Sequence, residues 1–102
     1  MKTVRLSERA EHALVAIVEY LLEKTGPVAA NKHYRSFGDL WTLLASHPES
    51  GATMSRLGQG ISLNVVEPYN VHSLNDAATH PIRILCIMHG RRKITRTMTQ
   101  FS

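Results

Sequence analysis

The stretch Ile82-Arg83-Ile84-Leu85-Cys86-Ile87-Met88 constrains this chain most. It is almost wholly apolar and rich in β-branched residues. It is too short for a buried helix and has the length of a strand covered on both faces. Such a strand belongs in the middle of a sheet. Gly90 then stops it, and three cations follow at once. The strand thus delivers His89, Arg91, Arg92 and Lys93 to one rim. Side chains alternate along a strand, so Arg83, Leu85, Ile87 and His89 are expected on one face, provided no bulge intervenes. Together with the rim they would make one positive, target-binding patch. Read by itself, a basic run after a strand is equally a solvated loop end, so the rest of the chain has to decide.

Its 102 residues suit one domain with one modest core, with the tail from about residue 95 left unassigned. Twelve Lys and Arg against eight acids give a formal charge of +4, which suits an acidic partner. Cys86 is the single cysteine and falls inside the central strand, where it reads as a small buried hydrophobe. With no disulfide within the chain, no apolar signal core and no run long enough to span a bilayer, a cytoplasmic protein is expected.

Thr3 to Leu6 alternates and reads as a first strand. Ser7 is an N-cap, with Glu8 and Glu11 in the first turn, where the helix dipole favours acids. Ala10, Leu14, Ile17, Val18 and Leu21 keep helical spacing, and Gly26-Pro27 ends that helix. Pro27 opens a second helix with the apolar row Ala30, Tyr34, Phe37, Trp41 and Leu44, and Leu40 beside it. Gly38 interrupts it at a cost of about 1 kcal/mol relative to Ala. Pro48 ends it. With two residues between them, the helices should form an antiparallel hairpin. The aromatic set Tyr34, Phe37 and Trp41 has the spacing of a core or a partner interface rather than of a base-stacking platform.

Glu49 to Gly60 reads as a loop, without a phosphate-binding glycine pattern. Ile61 to Val65 and Tyr69 to Leu74 read as two more strands around a Glu67-Pro68 turn. The order β-α-α-β-β-β predicts an α+β fold, a helical hairpin on one face of a small, mainly antiparallel four-stranded sheet. The other face is left open or covered by a partner. His12, His33, His47, His72, His80 and His89 form no ligand spacing, so no metal is expected, nor any cofactor.

In this order the chain resembles the RelE/ParE superfamily of bacterial type II toxins, also described as plasmid-stabilisation toxins, from about Thr3 to Ile94. The resemblance rests on Leu6-Ser7 opening the first helix, on Ala29-Ala30, and on Leu44-Ala45 with Pro48 and Gly51. Gly60, Leu63 and Tyr69 continue it. The strongest part is Ile82-Arg83-Ile84-Leu85 with Ile87 and His89-Gly90-Arg91-Arg92. It implies a toxin neutralised by a cognate antitoxin that folds onto it. ParE-type members poison DNA gyrase, and RelE-type members cut messenger RNA in the ribosomal A site.

The chain departs from the family pattern at Ser62, where members often carry Arg, at His72-Ser73, where an aromatic pair is common, and in having no Tyr after Lys93. A ribonuclease must activate a 2′-hydroxyl, protonate a leaving oxygen and neutralise a phosphorane. Here His89 and Arg91 would have to supply that chemistry alone. The pattern therefore leans to a non-enzymatic, ParE-like gyrase inhibitor. A ribosome-dependent endoribonuclease is the alternative, and an inactive relative acting only as a binding partner is a further one. The second-helix row Phe37, Leu40, Trp41 and Leu44, with the groove of the hairpin, is expected to receive the antitoxin.

Overall fold

The computed structural model describes residues 2–76 and 81–91, so Arg92, Lys93, His80 and the tail after Lys93 lie outside the described residues. The elements are β1 (Val4–Leu6), α1 (Glu8–Thr25), α2 (Pro27–Ser46), β2 (Ala52–Thr53), a 3-10 turn Ser55–Leu57, β3 (Ile61–Val66), β4 (Tyr69–Leu74) and β5 (Ile82–His89). The predicted α+β order holds. Among the described residues the sheet has five strands rather than four and is mixed, in the order β1-β5-β4-β3-β2. β1 runs parallel to β5, and the other pairs are antiparallel.

The fifth strand is Ala52–Thr53, inside the stretch read as a loop. Two residues are too few to show alternation. Gly51 makes their approach to β3 possible. Its φ is +98°, and a Cβ there would stand 2.5 Å from the Leu63 carbonyl oxygen. Gly26 plays the corresponding part between the helices. At φ 89° it caps α1 by donating its N–H to the Leu21 and Leu22 carbonyls, and Pro27 starts α2 directly after it.

Ser7 ties α1 to the sheet. Its Oγ accepts from the Ala10 N–H at 3.1 Å and donates to the Leu85 carbonyl at 2.8 Å. Its N–H donates to the Ile84 carbonyl. One serine thus caps a helix and anchors the central run.

Ala10, Phe37, Leu40 and Leu44 from the helices meet Val66, Tyr69, Val71, Ile82, Ile84 and Ile87 from the sheet in the main core. A smaller cluster of Leu57, Ile61 and Leu85, with Met54 and Leu74 against it, forms around the 3-10 turn. β5 is buried from Ile84 to Met88 without a break, as expected of a strand covered on both faces.

Candidate functional site

A bulge in β5 decides which side chains share a face. Ser73 pairs with Ile84 and His72 with Cys86, so Leu85 has no residue opposite it. The extra residue reverses the alternation. Ile82, Ile84 and Ile87 all face the helices, and Leu85 joins the smaller cluster. Arg83 pairs with Leu74 and lies on the face away from the helices, whereas His89 pairs with Tyr69 on the helix face. The expected single patch from Arg83 to His89 is thereby corrected: the bulge separates them.

At the helix-side rim His89 is exposed at the end of β5. Its Nδ1 accepts from the Arg91 N–H at 3.2 Å, which places the proton of the neutral ring on Nε2. Its ring meets that of Tyr69 edge-on, with centroids 6.0 Å apart. Tyr69 and His89 line a groove with Ala13, Ala16, Ile17, Tyr20 and Ile87. Burial, with Tyr20 adding to it, raises the Tyr69 hydroxyl above its ordinary pKa. From the sequence Tyr69 is only a strand residue of the family pattern, and Tyr20 has no assigned role. Tyr20 follows Ala13 and Ile17 at helical spacing, and that was the available signal.

The face away from the helices carries two arginines at the β1–β5 edge. Arg5 and Arg83 are register partners on neighbouring parallel strands. The two helices carry four Lys and Arg against five acids, and the rest of the chain eight against three. The positive excess thus lies off the helices. His72 sits on this face between Leu63 and Cys86 and is 1% exposed, with no partner for Nδ1. Burial lowers its pKa and Arg56 lowers it further. Burial pushes the Cys86 thiol up to about 11, against a smaller opposite pull from Arg9. The thiol therefore stays protonated and is no nucleophile. Among the described residues, no three His, Cys, Asp or Glu side chains gather closely enough for a metal.

The neutral His72 makes stability depend on pH. In the unfolded chain the ring titrates near 6.5, and in the folded chain below that value. Above this range the ring is neutral in both states and contributes no slope. As pH falls through it, only the unfolded chain takes up the proton, so stability declines until the folded pKa is reached. The urea midpoint should fall between about pH 7.5 and about pH 5, and this decline should be smaller in His72→Leu. Equal declines would remove His72 as the cause.

The row expected to receive an antitoxin lies largely inside. Phe37, Leu40 and Leu44 are 1%, 7% and 0% exposed, and only Trp41 is half-buried. An open apolar groove lies elsewhere, lined by Leu6, Glu11, Leu14, Val15, Val18, Glu19 and Tyr34. Beside it runs the sheet edge. Thr3 and Ser7 direct backbone groups to β5, so by alternation Val4 and Leu6 turn theirs outward.

The profile of a family described as "ParE toxin of type II toxin-antitoxin system, parDE" matches residues 4–94. Among solved structures, the chain is similar to one titled "Chromosomal ParDE TA system from P. aeruginosa", with a TM-score of 0.71 and 19% identity over 87% of this chain and 96% of that one. At that identity the likeness is one of fold. No curated protein matches the chain.

Proposed function

The chain belongs to the ParE toxin family of type II toxin–antitoxin systems, and on that premise we propose that it inhibits DNA gyrase by binding, in the cytoplasm, and is neutralised by a cognate antitoxin. The observation that carries binding over RNA cleavage is the bulge at Leu85. Cleavage needs a base, an acid and cations around one phosphate. Arg83 and His89 lie on opposite faces, and His72 is buried. A ribonuclease would have His89 as its base and Arg91 as its clamp, without the Arg83 guanidinium on the same face. A gyrase inhibitor needs only a complementary basic surface. Arg83 with Arg5 on one face, and His89 and Arg91 at the rim, with Arg92 and Lys93 next in sequence, are its proposed contacts.

The antitoxin segment is proposed to add a strand to β1 and to lay apolar side chains into the groove of Leu6, Leu14, Val15, Val18 and Tyr34. Edge pairing supplies backbone hydrogen bonds, and the groove supplies side-chain selectivity. Glu11 and Glu19 line the same groove, so the segment should carry basic residues around its apolar ones.

In cells expressing the chain without its antitoxin, incorporation of labelled thymidine should fall before that of labelled methionine. The reverse order would favour the ribosome. No effect on either would favour an inactive relative that only binds a partner.

A further inference from the structure

We propose that the groove between α1 and the end of β5 holds the base of an unpaired DNA nucleotide, whose phosphate meets Arg91. The proposal deepens the gyrase reading, since gyrase is where the toxin would encounter opened DNA.

The groove has a volume of about 320 Å³, within the range of ordinary small-ligand sites. Its helix wall is Ala13, Ala16, Ile17 and Tyr20, one face of α1 at helical spacing. Two alanines there leave space that larger side chains would fill. Its sheet wall is Ile87, Tyr69 and His89. Three rings thus line an apolar slot, and Tyr20 is 56% exposed, free to stack on an incoming ring.

The ring edges are polar. Tyr20 offers its hydroxyl, and His89 offers its Nε2–H because Nδ1 is occupied by the Arg91 N–H. A planar heterocycle with donors and acceptors on its edge fits such a slot better than an aliphatic group. That hydrogen bond also fixes the Arg91 backbone beside His89, so a cation leaves the strand next to the ring slot. Arg92 and Lys93 follow it in sequence. A nucleotide supplies both a flat ring and an anion joined to it. An aromatic side chain from a protein would use the rings and leave the cation unanswered. A paired base in a duplex is stacked on its neighbours and has no face to offer, so the nucleotide must be unpaired.

The test uses the purified full chain, without gyrase, and the anisotropy of a labelled single-stranded oligodeoxynucleotide. The intact strand should bind about tenfold tighter than an abasic strand of the same length, the scale of one base–aromatic stack. Tyr20→Ala and His89→Ala, both at exposed positions, should each reduce that preference. Arg91→Gln should weaken both strands and lower the salt slope by about one. Equal affinity of the wild type for intact and abasic strands would overturn the proposal. So would an unchanged preference in both Tyr20→Ala and His89→Ala, or His89 NMR signals that respond to a gyrase-derived peptide and not to DNA. Because gyrase is absent, these results stand apart from inhibition of supercoiling, which tests the broader reading.

Discussion

Replacing Phe37 by alanine should destabilise the fold by about 3–5 kcal/mol. The ring is 1% exposed and lies 6.1 Å from Trp41 and 6.0 Å from Tyr69, centroid to centroid. It joins α2 to β4 through one aromatic contact chain. Removing it deletes the apolar transfer energy and leaves a cavity that its packed neighbours fill only in part. A domain of this size has total stability on the order of 5–15 kcal/mol, so the loss is a large fraction. Urea unfolding should show a much lower midpoint at an unchanged slope. Tyr34→Ala, at a position 55% exposed, should stay within about 0.5 kcal/mol. The comparison also separates two views of the second-helix row. A small stability loss in Phe37→Ala, together with lost antitoxin binding, would return that row to the interface that its spacing alone suggested.

Val15→Glu should weaken antitoxin binding about a hundredfold and leave folding nearly intact, an effect on the scale of a binding hot spot. Val15 is 56% exposed and lies one helical turn from both Glu11 and Glu19. A carboxylate there would replace an apolar contact in the groove and lose hydration against the apolar side chains of the partner segment. The acidic column should cost α1 only a few tenths of a kcal/mol. Calorimetric titration with the antitoxin measures the first effect and thermal unfolding the second. In cells the variant should remain toxic even when the antitoxin is co-expressed. Unchanged affinity would show that the groove beside β1 is not where the antitoxin docks.

The two helices and β5 were legible because each carries a long periodic or uniformly apolar pattern, with Ser7, Gly26 and Pro27 marking the helix ends. β2 was hidden because two residues carry no period, and its pairing depends on the missing Cβ of Gly51. The bulge at Leu85 was hidden for a different reason. A register shift belongs to a pair of strands, and the carbonyl it frees is taken by Ser7, 78 positions away in sequence. That one residue moved Arg83 away from His89 and split the expected patch. Likewise Phe37, Leu40 and Leu44 have the same spacing whether they face a core or a partner, and only the packing of α2 on β3 and β4 decides. His89 and Arg91 were readable because they are neighbours in sequence. Tyr20 and Tyr69 join them only through the tertiary fold.

The central claim is binding to gyrase, and the most direct measurement is supercoiling by purified gyrase in the presence of the purified chain. Inhibition of supercoiling or accumulation of cleaved DNA is the predicted result, with prior addition of antitoxin abolishing it. In parallel reactions ribosome-bound messenger RNA should remain intact. Undisturbed supercoiling together with codon-specific A-site cleavage, lost in His89→Ala, would contradict the account and make the chain a ribonuclease.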